Sequence, residues 1–250
     1  MTDPSIARHA SDSNMAVHAY AAIKKRILDF RYVPGERLSE AQLAKELGLG
    51  RSPIRTALAK LKSDGWIAVS PQSGTYVKSL TEREIADLVD LRLVLETHVT
   101  ELAARAMSDE DLRKLRRAFA AFCPKGVANL STRAFDDFNE FDALFHVTLY
   151  RTGGNALIAE ILANLFDKVQ WLKTSAPPSA ARMRSGYSEL RRILEALEAR
   201  EPKDAATRMR EHISNAATFS AQSRAHERGN GAAVGRAGAS AKPPRARRAA

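Results

Sequence analysis

The sequence is poor in the features that would place it in several large classes. It holds a single cysteine, Cys123, which excludes an intramolecular disulfide and a multi-cysteine zinc site. That residue reads as a small helix side chain rather than a redox centre. No apolar run comes near the ~20 residues of a bilayer span. The opening MTDPSIARHASDSN lacks the apolar stretch of a secretory signal. A cytoplasmic protein with no membrane partner is expected. No phosphate loop and no nucleophile–base pair stands out, so catalysis is not expected. No strand pattern follows Val77. Hydrophobic residues at 44% supply a core that can fold without cross-links or metal.

What is present shows first in the charge. The formal net charge of +10 is unevenly placed. Residues 1–80 carry 12 Lys/Arg against 7 Asp/Glu, residues 81–226 carry 21 of each, and residues 227–250 carry 6 against 1. A basic head on a neutral body suits a DNA-binding module joined to a regulatory one. A merely solvated basic surface would give the same count.

Residues 1–14 are small and polar and are expected to be disordered. Helical periodicity starts near Met15, with Val17, Ile23, Ile27 and Leu28, and breaks at Val33-Pro34-Gly35. Ser39 with Gln42 forms a capping box for a second helix, which Gly48 ends. A third helix is expected over Ser52–Ser63, with Ser52 as N-cap and Pro53 at the first helical position. Trp66–Val69 and Thr75–Val77 read as a hairpin around Pro71-Gln72-Ser73-Gly74. Three helices and then a hairpin make a winged helix-turn-helix over residues 15–78. Residues 79–226 are helical throughout. Thr81 with Glu84 opens a helix to about Ala106, and Ser108 opens one to about Phe122. Others are expected near Thr132–Arg151, Ala156–Thr174, Ser179–Ala199 and Pro202–Ala225. The expected fold is mainly α, an N-terminal winged helix-turn-helix followed by an all-α helical bundle. Residues 227–250 have almost no large apolar side chain and are expected to form a disordered basic tail.

In a helix-turn-helix the second helix of the motif lies in the major groove, and its first turn reads base edges. Arg51 and Arg55 are four apart and share a face there. A guanidinium can bond guanine or phosphate through two parallel hydrogen bonds. Ser52 and the helix N-terminus suit a phosphate oxygen. Ile54, Leu58 and Leu61 form the buried side. Gly74 permits a tight wing tip. The stretch LSEAQLAKELGLGRSPIRTALAKLKSDGWIAVSPQSGTYV, with Val33–Leu38 before it, resembles the DNA-binding domain of the GntR family of bacterial regulators. The resemblance covers residues 15–78 and implies DNA contacts from Arg37, Arg51, Ser52 and Arg55, with Gly74 in the wing. Gly50 and Thr56 depart from it, standing where Ser and Glu are usual.

Residues 80–225 resemble the FCD branch of that family, the fatty-acid-regulator type of C-terminal domain. The matching pieces are Arg92-Leu93-Val94-Leu95-Glu96, Asp142-Ala143-Leu144-Phe145-His146 with Gly154-Asn155, and Met209-Arg210-Glu211-His212-Ile213. Asp142 and His146, four apart, project from one helix face and can share a divalent cation. His212 could complete the site across the bundle. A satisfied core hydrogen bond accounts for an Asp/His pair equally well. The resemblance implies a divalent metal such as zinc on Asp142, His146 and His212, and a small organic acid beside it. Leu190 departs, standing where a further His is usual. Arg92 could bind an effector carboxylate or bridge to Glu96. His98 and Trp171 read as structural.

The expected function is sequence-specific transcription regulation. A repressor would bind an inverted-repeat operator as a homodimer, controlled by a small carboxylate at Arg92, Asp142, His146 and His212. Two alternatives differ in class. One is an architectural DNA binder without effector, the other a metal-dependent enzyme.

Overall fold

The computed structural model describes residues 4–122, 132–174 and 179–238, so Cys123 lies outside the described residues. The chain divides into two compact units, Met1–Ile85 and Ala86–Ala250.

The first unit runs α1 (Pro4–Leu28), β1 (Arg37–Leu38), α2 (Glu40–Leu47), α3 (Arg51–Ser63), β2 (Ile67–Ser70) and β3 (Gly74–Val77). Helix α1 starts well before Met15, in the stretch expected to be disordered. Pro4 suits a first helical position, and no glycine or proline follows until Pro34 to stop the helix. Its buried stripe is Ala16, Ala19, Ile23 and Ile27, at helical spacing. Val17, expected on that stripe, is 65% exposed.

Ser39 caps α2, its hydroxyl accepting from the Gln42 N–H at 3.5 Å, and Gly48 closes it in the left-handed region at φ 64°. The expected capping box is half formed, because the Gln42 side chain donates to Glu46 instead. The N-cap of α3 lies two residues earlier than expected. It is Gly50, in extended backbone and without a side-chain bond, which puts Ser52 and Pro53 inside the first turn. Pro53 still removes no hydrogen bond, since the first-turn amides have no intrahelical acceptor.

The hairpin forms as expected, with Ile67 opposite Val77 and Ser70 opposite Gly74. Strand β1 was not expected. It pairs antiparallel with β3, Arg37 opposite Tyr76 and Leu38 opposite Thr75, giving the order β1-β3-β2. Ile23, Ile27, Leu43, Ile54, Leu61 and Trp66 fill the core beneath. The Tyr20 hydroxyl donates to Asp64 at 2.7 Å, tying α1 to the end of α3.

Helices α4 (Glu82–Ala106), α5 (Asp109–Phe122), α6 (Thr132–Thr152), α7 (Ala156–Thr174), α8 (Ala180–Glu198) and α9 (Pro202–Gly238) follow. Both halves of the Thr81/Glu84 box are made: the Thr81 N–H donates to Glu84 at 2.9 Å and the Glu84 N–H to the Thr81 hydroxyl at 3.2 Å. Helix α9 passes Ala225 and continues to Gly238, into the stretch expected to be disordered. Glycine there weakens a helix by ~1 kcal/mol each, but no proline breaks it. Phe141, Phe145, Leu149, Leu190, Leu194 and Met209 are among the core residues of the second unit. Gly186 lets α8 approach Phe138, since a Cβ there would sit 2.4 Å from the ring. Trp171 is buried as expected. No described helix is long and apolar enough to cross a membrane.

Candidate functional site

The first turn of α3 carries Arg51, Ser52 and Arg55 on its exposed side, while Pro53, Ile54, Ala57, Leu58 and Leu61 are buried. The alternation of exposed and buried pairs fixes which face is free. Arg55 makes one exposed contact, 3.5 Å to Glu40, and a contact of that kind holds a side chain weakly. Because Gly50 and not Ser52 is the N-cap, the Ser52 hydroxyl is not the group that caps the helix. The Thr56 hydroxyl donates to the Ser52 carbonyl. Arg37 and Gly74, far apart in sequence, come together at the wing. The Arg37 Nε lies 2.9 Å from where a Cβ on Gly74 would stand, and Gly74 has φ 122°. A side chain at 74 would therefore be strained and would displace the guanidinium.

The second unit holds a polar cluster inside its apolar bundle. Asp142 and His146 on α6 and His212 on α9 are all buried. The two Nε2 atoms face each other at 3.4 Å. The Asp142 Oδ1 lies 3.6 Å from the His212 Nε2 and 3.9 Å from the His146 Nε2. Among the described residues this oxygen has no hydrogen-bond partner. Two atoms bonded to one zinc at ~2.05 Å and the tetrahedral angle stand about 3.4 Å apart, so the spacing suits a shared cation.

Each imidazole is backed by a carboxylate. The Glu189 Oε2 lies 2.8 Å from the His212 Nδ1. The Glu96 Oε2 lies 2.7 Å from the His146 Nδ1, out of line for a directed hydrogen bond. With a proton on each Nδ1, both Nε2 lone pairs face Asp142. Such backing is the usual support of a metal-binding imidazole.

The buried carboxylates are each matched by a cation. Arg92 donates from Nε to Glu96 at 2.5 Å, Lys173 pairs with the Asp142 Oδ2, and Arg182 pairs with Glu189 at 2.8 Å. Burial by itself would raise the Glu96 carboxyl, but Arg92 and His146 hold it well below the usual range. Burial also opposes ionisation of Asp142, and the Lys173 ammonium with the two imidazoles overcomes it. The Glu189 carboxyl is brought down to about 2, against burial, by His212, Arg182 and Asn215. For His146 burial prevails, holding the imidazole neutral despite Glu96 and Asp142.

The structure thus brings Asp142, His146 and His212 together, the first two as their four-residue spacing suggested and the third from across the bundle. Arg92 makes the ion pair with Glu96 that their four-residue spacing allowed. Leu190 is a buried core side chain and offers no donor atom. His98 is exposed on α4. Glu189 and Lys173 were missed. They lie 23 and 31 residues from the groups they touch, and no local pattern marks them.

A family model described as "Bacterial regulatory proteins, gntR family" matches residues 15–77, and one described as "FCD domain" matches residues 87–215. A gluconate operon transcriptional repressor of Bacillus licheniformis is 32% identical over 185 residues, 74% of this chain and 73% of the relative. An Nta operon transcriptional regulator of Aminobacter aminovorans is 32% identical over 146 residues, 58% of this chain and 67% of the relative. Among solved structures, E. coli McbR/YncC superposes with a TM-score of 0.67 at 20% identity, covering 83% of this chain and 97% of that one.

Proposed function

We propose that this chain, which belongs to the gntR family of bacterial regulatory proteins and carries an FCD domain, is a repressor that a small organic acid controls through its second unit. As a member of that family it is a transcription regulator and not an enzyme.

In this reading α3 enters the major groove. Arg51 and Arg55 read base edges or grip phosphate, Ser52 takes a phosphate oxygen, and Arg37 approaches the backbone beside the Gly74 wing tip. A homodimer presents two such helices to an inverted repeat.

One observation supports the effector site above the others. A bundle core is cheapest when apolar, yet Asp142, His146 and His212 sit within it with a carboxylate oxygen that lacks a hydrogen-bond partner among the described residues. Such a group is expected where a ligand supplies the missing partner. Asp142, His146 and His212 fit a divalent cation by donor type, by the free Asp142 Oδ1 and by carboxylate backing. Bound there, the cation would offer a positive centre to an organic anion, and the absence of a donor at Leu190 would leave it coordination room. Arg92 acts through Glu96, holding the carboxylate that backs His146. Since a relative is named a gluconate operon repressor, hydroxylated sugar acids are the first class to screen. A ligand that binds two states of the protein unequally by ~1–3 kcal/mol shifts operator occupancy 5- to 150-fold.

Footprinting of the full chain on fragments of its own genome, at near-physiological salt and beside Arg55→Ala, tests the reading. Protection of a short inverted repeat, lost in the variant, is expected. Uniform, salt-sensitive binding that the variant leaves unchanged would point to an architectural DNA binder instead.

A further inference from the structure

The charges around the buried cluster balance without any metal. Glu96, Asp142 and Glu189 are matched one to one by Arg92, Lys173 and Arg182. A divalent cation added beside Asp142 would leave positive charge uncompensated in a medium that screens poorly. Of the three cations, Arg92 is enclosed, with a side chain 7% exposed, whereas Lys173 is 22% exposed and sits in the last turn of α7. A lysine carries its charge on a flexible four-carbon stem, so it can swing to solvent while Asp142 stays in place. The two Asp142 oxygens are already divided: Oδ2 faces Lys173 and Oδ1 faces the imidazoles.

We propose that Lys173 is a tethered cation that competes with a divalent metal for Asp142. Its ammonium neutralises the buried carboxylate in the metal-free protein, and it withdraws through the exposed edge when a metal binds to Asp142, His146 and His212. The inference rests on the cation site described under the proposed function. With Lys173 in place, metal binding is weak and reversible, and the cluster stays stable without it. The freed ammonium stands at the mouth of the site, where it can meet the carboxylate of an incoming organic anion.

Isothermal titration of the chelator-dialysed full chain with zinc chloride tests this, with zinc-induced melting shifts as a second readout. Lys173→Met removes the charge. Lys173→Gln removes the charge but keeps a hydrogen-bond donor for Asp142, and so guards against loss of fold. Both are expected to bind zinc at least tenfold more tightly than wild type, with a larger melting shift, and Asp142→Asn is expected to abolish the gain in either background. Equal or weaker zinc affinity in both variants overturns the proposal, as does absence of zinc binding in all of them. If binding is lost in Asp142→Asn but unchanged by Lys173 substitution, the site stands and the competition does not. If Asp142→Asn binds zinc like wild type, the cation site itself is wrong, and the competition falls with it.

Discussion

Glu189 holds His212 by its Nδ1 at 2.8 Å, and this one contact decides which ring nitrogen faces Asp142. Glu189 is itself held by Arg182, Ser185 and Asn215 at 2.8 to 2.9 Å, so the ring is fixed by a network anchored outside the cluster. Glu189→Gln should weaken that hold without emptying the space. In a Lys173→Gln background, where tighter zinc binding is expected, it should lower the affinity roughly 10- to 100-fold. Titration calorimetry reads this directly, and an unchanged affinity would show that His212 needs no backing.

The Arg92–Glu96 pair gives a stability prediction. Both side chains are fully enclosed, so removing one partner strands the other. Glu96→Gln should cost about 3–5 kcal/mol in the second unit, while the double replacement Arg92→Met with Glu96→Leu should cost much less. Denaturant melts of the full chain in a Trp66→Phe background, followed at the Trp171 indole, distinguish the two. Equal losses in single and double variants would deny a stranded charge.

Gly186 is under steric constraint from the Phe138 ring, 2.4 Å from the place of its Cβ. The ring is packed edge-on against Tyr187 at 4.8 Å and has little room to yield. Gly186→Ala should destabilise by ~1–3 kcal/mol through overpacking, although alanine is the better helix former. A melting temperature raised by this substitution would mean that the ring moves freely.

On the DNA-binding unit, Arg51→Ala and Arg55→Ala should each weaken operator binding by ~1–3 kcal/mol, roughly 5- to 150-fold, with no change in melting temperature. Quantitative gel shifts against the footprinted repeat and a scrambled one measure it. If both DNAs lose equally, the arginines hold phosphate and do not read sequence.

Tyr32 supplies a pH dependence. Burial, the 2.5 Å bond to Glu46 and that carboxylate's charge hold its phenol protonated, raising its pKa from 10.0 to about 12. In the unfolded chain the proton leaves near pH 10, and in the folded one only near pH 12. The stabilisation from this group is therefore complete below pH 10 and is lost as pH rises from about 10 to about 12. Tyr32→Phe should remove that slope, as seen in chemical melts across the window.

Much of this was legible in the sequence because helix ends carry local chemistry. Ser39, Thr81, Ser108 and Ser179 each cap the helix that follows, accepting an N–H from three residues on. Asp142 and His146 could be paired because four residues on a helix make one face. Strand β1 escaped because two residues show no alternation. The start of α3 was misplaced because Gly50 caps through backbone geometry alone. The stripe on α1 was misdrawn because Ala16 and Ala19 occupy it while the larger Val17 faces solvent. Lys173 and Glu189 could be recognised only once α7, α8 and α9 had brought them to α6 and His212.

The pairing of β1 with β3 has a thermodynamic consequence for meeting DNA. Arg37 and Leu38 are bonded into the wing and lead within two residues into α2, which packs on α3. Wing and α3 are therefore joined through paired and packed backbone, with few torsions left to freeze on contact. The entropy usually lost in ordering a mobile wing has largely been spent during folding. Calorimetry of complex formation should then show an entropic penalty smaller than that of a regulator whose wing is loose in the free state.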